Sequence, residues 1–230
     1  SEMCIRDRLN IDLKNIDFAV LSHAHYDHAN GMEKFFEINR KAPFYLQEGC
    51  GENCYFKKGF IRKYIGIPKG ITKKYQDRIE YVSGVYTVAD GIYLVSHSTP
   101  HLEQIGKKEM MYQKTKLGWK PDNFCHEQSL VLDTDGGLVI FNSCSHGGVV
   151  NIINEVKAAF PNKKITALIG GFHIFNHPEA EIRELAKLIK ETGIERIYTG
   201  HCSKERGYRI LREEPVSYTH LRAHETSAHL

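Results

Sequence analysis

Short apolar runs that end near glycine or histidine alternate along this chain with segments of helical period. Asp17–Leu21 is an apolar run short enough for a buried strand, and it leads directly into His23. Gly31–Ile38 follows with apolar residues at Met32, Phe35, Phe36 and Ile38, the spacing of one helix face. Pro43–Leu46 returns to a strand pattern. From Gln47 to Lys120 glycine, lysine and tyrosine are frequent, with strand candidates near Ile79–Val88 and Ile92–Ser96. Ser129–Thr134 and Leu138–Phe141 flank Asp135-Gly136-Gly137, a hairpin signal. Val149, Val150, Ile153, Val156 and Phe160 then mark a helix face, and Ile165–Ile169 a strand. His177-Pro178 opens a helix whose apolar stripe is Ile182, Leu185, Leu188 and Ile189, and Gly193 closes it. Ile194–Tyr198 is the last strand. No repeat or linker interrupts the alternation, which predicts one α/β domain over residues 9–214.

The ends differ from this pattern. Ser1–Arg8 and Pro215–Leu230 carry neither period and resemble translated sequencing-adapter segments, so both read as non-native tails. Composition adds little for the rest: 41% hydrophobic and 26% charged residues are ordinary for a globular protein. No apolar run is long enough to span a membrane. A net charge of +3 is too small to argue for a nucleic-acid partner. The six cysteines are scattered and no signal-peptide pattern opens the chain, which reads as free thiols in a cytoplasmic protein.

Histidine changes the picture. His23, His25 and Asp27 fall at i, i+2 and i+4 just past a strand, with His28 beside them, so an extended segment can turn several ligands to one side. Imidazoles with a carboxylate suit zinc, manganese or iron. His146 follows the strand Leu138–Phe141 in Asn142-Ser-Cys-Ser-His146. His173 follows Ile165–Ile169 in Gly170-Gly-Phe-His173, and His201 follows Ile194–Tyr198 in Thr199-Gly-His-Cys202. Loops beyond the carboxyl ends of strands in α/β sheets collect ligands and catalytic groups, so these histidines should converge on one cleft.

His-x-His-x-Asp-His after a strand, followed by isolated histidines after later strands, resembles the metallo-β-lactamase superfamily. The strings around His146, His173 and His201, with Phe124-Cys-His-Glu-Gln-Ser-Leu130, resemble its dihydropterin–ribofuranosylaminobenzene-phosphate synthase-like branch. The resemblance implies a four-layer αβ/βα sandwich with two metals at one edge, here truncated at both ends. His23, His25 and His146 would hold one metal; Asp27, His28 and His201 would hold the other. The aspartate that usually bridges the pair is replaced by His173, and a neutral imidazole has one free lone pair and cannot bridge as a carboxylate does. His173 is then a metal ligand, a substrate contact or a proton donor. The implied activity is a metal-dependent hydrolase using one or two divalent metals, zinc with manganese or iron as alternatives. A metal-bound hydroxide would attack a small phosphoester, lactone or related substrate, with Asp27 and His173 as catalytic residues. The alternatives are a nuclease of the same fold and a noncatalytic metal-binding or sensing domain.

The remaining signals are weaker. Lys57, Lys58, Arg62, Lys63, Lys69, Lys73 and Lys74 interleave with Tyr55, Phe56, Tyr64 and Tyr75; this reads as a solvated inserted lobe, with phosphate contacts as the alternative. Cys144 and Cys202 read as packing thiols because histidines already fill the ligand positions. Cys50-x-x-x-Cys54 lacks a second pair. His97, His101 and His126 stand outside the pattern, His126 beside Glu127 being the one to watch.

Overall fold

The computed structural model describes residues 11–214; the tails Ser1–Arg8 and Pro215–Leu230, and the start of the 9–214 domain, lie outside the described residues. The first half contains β1 (Ala19–Val20), α1 (Tyr26–Ala29), α2 (Met32–Ile38), β2 (Phe44–Gln47), β3 (Cys54–Lys58), β4 (Ile61–Tyr64), α3 (Ile71–Lys74), β5 (Ile79–Val82), β6 (Val85–Ala89) and β7 (Ile92–Ser96). The second half contains α4 (Glu103–Lys108), β8 (Met111–Thr115), β9 (Gly118–Pro121), β10 (Gln128–Thr134), β11 (Gly137–Asn142), α5 (Val149–Ala159), β12 (Ile165–Gly170), α6 (Glu179–Glu191), β13 (Arg196–Thr199) and α7 (Lys204–Glu213). Among the described residues no helix is long and apolar enough to cross a membrane.

A small parallel sheet has the order β1-β2-β5, and a six-stranded mixed sheet the order β13-β12-β11-β10-β7-β6. Successive side chains on a strand point to opposite faces, and this period of two sorts the apolar residues into three cores. On β2, Phe44 and Leu46 pack with Met32, Phe35 and Phe36 of α2, while Tyr45 between them faces the other sheet. On β7 and β10, Leu94 and Leu130 meet Tyr45 and Val82 in the layer between the sheets. Their neighbours Val95 and Val131 point the other way, into the core under α5, α6 and α7. The layers therefore run helix, sheet, sheet, helix, the mixed α/β architecture that the alternation predicts.

Three sequence expectations change in detail. The run Ile79–Val88 is two strands: it breaks at Ser83-Gly84, where Gly84 has φ +64°, and its halves pair in different sheets. The stripe of α6 is Ile182, Ala186 and Ile189, with Leu185 partly buried; Leu188 lies off that face and is 41% exposed. The buried face of α5 includes Ile152, with Val150 and Phe160 at its margin.

The lysine- and tyrosine-rich region builds a third, antiparallel sheet of order β4-β3-β8-β9. Its cations lie over aromatic faces: Lys69 over Tyr64 at 4.2 Å, Lys57 over Tyr112 at 5.0 Å and Arg62 over Trp119 at 5.3 Å. Such stacking holds long cationic side chains in place while their charge stays at the surface.

Core position rather than residue type should decide the cost of truncation. Ile153→Ala, in the fully buried face of α5, is expected to cost about 2–5 kcal/mol in denaturant unfolding, and Leu188→Ala about 0.5 kcal/mol or less. Equal losses would contradict the layer assignment.

Candidate metal centre

The histidine motif is held from two sides. The Gln128 backbone N–H donates to Ser22 O at 2.8 Å, and its side-chain amide donates to Leu21 O at 2.9 Å, tying β10 to the end of β1. On the other side His25 bridges to Gly66, and Tyr26 N–H donates to Ile65 O at 2.8 Å, so the basic lobe docks beside the motif. His25 precedes α1, whose first turns carry Asp27 and His28. His146, His173 and His201 follow the carboxyl ends of β11, β12 and β13, three adjacent parallel strands. The strand-end placement read from sequence is what the sheet order produces.

These loops are crowded. A Cβ on Gly170 would sit 1.6 Å from Asn142 O, and one on Gly147 would sit 1.7 Å from His97 Nε2. Glycine alone lets the backbones approach this closely. Ser145, His173 and His201 all have positive φ, at 52°, 50° and 47°. Non-glycine residues adopt this conformation at a cost, and such strain clusters where a side chain must be aimed.

Two ligand groups result. The nitrogens of His23, His25 and His146 lie within 4.8 Å of one another, all buried; so do ligand atoms of Asp27, His28 and His201, which are more exposed. His23 is common ground between the groups: its ring centroid is 4.8 Å from those of His25 and His146 and 4.4 Å from that of His28. Asp27 Oδ2 lies 3.5 Å from His28 Nε2 and 3.8 Å from His201 Nε2.

The chemistry of the buried group fits a cation. His23 Nε2, His25 Nε2 and His146 Nδ1 are buried without a hydrogen-bond partner. Burial, followed by the neighbouring imidazoles, pushes the pKa of His23 and His146 well below the ordinary value and that of His25 down to about 3. Burial also lowers His28, although Asp27 opposes it. Neutral imidazoles with unused lone pairs are the form that binds a divalent transition metal.

His173 belongs to neither group. Its ring lies 4.4 Å from that of His146, its Nε2 lies 3.9 Å from Glu109 Oε2, and its Nδ1 is buried without a partner. His173 N–H donates to Cys202 Sγ at 3.1 Å, and Cys144 Sγ lies 3.3 Å from His28 Nε2. The two thiols are neighbours, and Cys202 Sγ donates to Cys144 O at 3.8 Å. A hydrogen bond from Cys144, against the effect of burial, holds Cys202 down to about 5, and the same contact pushes Cys144 up.

A layer of support behind the ligands was not evident from sequence. Glu127, fully buried, accepts from the N–H groups of His146 at 3.0 Å and Gly147 at 2.9 Å. His97 lies between Glu127 Oε2 at 3.0 Å and Glu155 Oε2 at 2.7 Å; burial opposes its protonation, but the two carboxylates raise it to about 9. His126 Nε2 lies 3.1 Å from Asp122 Oδ2, while its Nδ1 accepts from Ala24 N–H at 3.2 Å. That acceptor role fixes a neutral imidazole that donates to Asp122. His126, Asp122 and Cys54 also cluster around His25. The string Phe124–Leu130 was the signal: its His126, Glu127 and Gln128 each hold a different part of the ligand shell. His101 joins no such group among the described residues.

Comparison with known proteins finds relatives of this fold. The family model of the metallo-beta-lactamase superfamily matches residues 2–107. A 7,8-dihydropterin-6-methyl-4-(beta-D-ribofuranosyl)-aminobenzene-5'-phosphate synthase of Methanocaldococcus jannaschii is 29% identical over 223 residues, covering 90% of this chain and 72% of the relative. An uncharacterized protein of the same organism is 25% identical over 219 residues, covering 92% and 78%. The crystal structure of Tm1679, a metal-dependent hydrolase of the beta-lactamase superfamily, superposes with a TM-score of 0.78 at 24% identity, covering 95% of this chain and 80% of that one. Over residues 2–107 the chain is similar to the metallo-beta-lactamase superfamily, and its fold is the one seen in Tm1679.

Proposed function

We propose that the chain is a metal-dependent hydrolase of a small phosphoester, lactone or related substrate. The observation that carries this reading is the pair of adjacent ligand groups, one buried and one open to solvent. His23, His25 and His146 would hold one divalent metal, zinc by preference with manganese or iron as alternatives, and Asp27, His28 and His201 a second. When bound, such a metal supplies Lewis acidity toward a phosphoryl or carbonyl oxygen and lowers the pKa of water toward neutrality.

The protein's own groups do the rest. Asp27, 45% exposed at the rim, accepts a hydrogen bond from the incoming water and orients it. His173 stands beside the buried group but outside both ligand sets, which favours a proton donor to the leaving group over a ligand. Lys63, over the ring of Tyr26 at 6.0 Å, sets a cation one residue from Asp27, where a substrate phosphate can dock.

A second reading is favoured by the methanogen relative, whose name describes a synthase forming a ribofuranosyl-aminobenzene 5'-phosphate product. The same site would then activate a phosphorylated substrate for condensation instead of hydrolysis. A turnover screen over phosphoesters and lactones, run beside a condensation assay, separates the two. Hydrolysis is the expected result. Turnover only in the condensation assay would favour the synthase, and a folded, metal-loaded protein inert in both would leave a noncatalytic metal-binding domain.

Protein loaded with zinc and desalted should retain about one to two equivalents of metal. His25→Ala should lose the buried equivalent first. A folded wild type that retains none defeats the metallohydrolase reading.

His173→Ala should leave metal content unchanged and lower kcat by about 10²–10⁴-fold, less for substrates with good leaving groups. Loss of metal in this variant would make His173 a ligand instead.

The imidazoles also set a pH signature in metal-free protein. His23, His25 and His146 have folded pKa values below the unfolded value of about 6.5, so the unfolded chain binds more protons beneath it. Stability should fall as pH drops from about 6.5 toward about 3. His97 acts in the opposite sense: its raised pKa contributes stability below about 6.5 that is lost as pH rises through about 9. Urea midpoints of chelator-treated protein across this range should pass through a maximum near neutrality. A midpoint that keeps rising toward pH 4 would contradict the burial of neutral imidazoles.

A further inference from the structure

We infer that Cys144 is a metal ligand whose sulfur bridges the two proposed metal positions. This rests on the two-metal reading above and adds a ligand that the histidine motif does not contain. Cys144 Sγ lies within 4.8 Å of ligand nitrogens of His23 and His28, and also within 4.8 Å of His201 Nδ1 or Nε2 and Cys202 Sγ. His23 belongs to the buried group, and His28 and His201 to the open one. Among the described residues Cys144 is the side chain whose donor atom joins groups containing ligands of both metals.

Charge points to the same atom. The six residues of the two groups bring one negative charge, that of Asp27, against two dications. An anionic bridge between the metals relieves their repulsion, and the two fully buried carboxylates behind the ligands, Glu127 and Asp122, have partners of their own. Glu127 is committed to the N–H groups of His146 and Gly147 and to His97. Asp122 is committed to His126, Gln113 and Phe124 N–H. The position after β12 holds His173, whose imidazole cannot span two metals. A thiolate sulfur has three lone pairs and can bind two cations. Cys144 is 3% exposed, and the His28 Nε2 contact at 3.3 Å already aims it into the site. Cys202 is the poorer candidate: its sulfur accepts from His173 N–H, and a Cβ on Gly171 would meet it at 2.5 Å, so it is built into the loop packing.

Binding replaces the S–H bond of Cys144 by metal–sulfur bonds, and the proton leaves to solvent with no change of oxidation state. A soft sulfur donor also shifts selectivity toward zinc, iron or cobalt and away from manganese.

The test is cobalt(II) titration of the metal-free full chain, read by absorbance and by bound metal. The wild type should take up about two equivalents and develop a thiolate-to-cobalt charge-transfer band in the near ultraviolet. Cys202→Ser should keep the band. Cys144→Ser, checked for folding by circular dichroism, should lose it and weaken the second equivalent on the order of tenfold or more. Wild type that binds cobalt without the band overturns the sulfur ligand and leaves the metallohydrolase reading standing. Wild type that is folded and binds no cobalt overturns both. A band that survives Cys144→Ser and disappears in Cys202→Ser assigns the sulfur to Cys202 and overturns the proposal. Should Cys144→Ser not fold, Cys144→Ala takes its place, and Cys54→Ser, which removes the sulfur grouped with His25, Asp122 and His126, should keep the band; a band lost only in Cys54→Ser overturns the proposal.

Discussion

Three imidazoles buried edge to face are the constraint around which this protein is built. Removing His23, His25 and His146 from water strands three ring nitrogens without partners, each costing about 1–3 kcal/mol if nothing replaces the lost hydration. Protonation cannot relieve this, because burial and mutual repulsion hold the rings neutral. What satisfies three converging neutral imidazoles is a cation. A fold that presents them to one cation must hold them by the backbone as well.

The surrounding architecture does so. Glu127 grips the amides of His146 and Gly147, Gln128 grips the end of β1, and His126 receives the amide of Ala24 between two ligands. Behind Glu127, His97 joins that buried carboxylate to the half-buried Glu155 and ties α5 to the large sheet. The glycines of the strand-end loops let the backbones close to contact, and the positive φ of Ser145, His173 and His201 is the strain this crowding imposes. The open group, with Asp27 and His201 near the surface, is the part of the site that solvent reaches. The basic lobe, docked on Tyr26 and His25, brings Lys63 over the ring of Tyr26.

Much of this was legible in the sequence because its causes are local. The period of two in Phe44–Leu46 and Leu130–Val131 sorts residues into layers, and the strand–histidine order of His146, His173 and His201 places them at one sheet edge. What escaped depends on contacts between distant segments. Nothing local distinguishes Glu155 or Asp122 from a surface carboxylate, and His97 meets Glu155 across fifty-eight positions of chain. The split of Ile79–Val88 turned on one glycine, and the exposure of Leu188 on which face of α6 the sheet covers. The proximity of Cys144 to His23 and His201 exists only once three loops converge, so no local pattern announces it.

The most direct test of the central claim is anomalous diffraction at the metal edge from crystals grown with zinc. The account predicts one peak among His23, His25 and His146 and a second among Asp27, His28 and His201. Peaks confined to the neighbouring group of Cys54, Asp122 and His126, or none at all in crystals of folded protein, would contradict it.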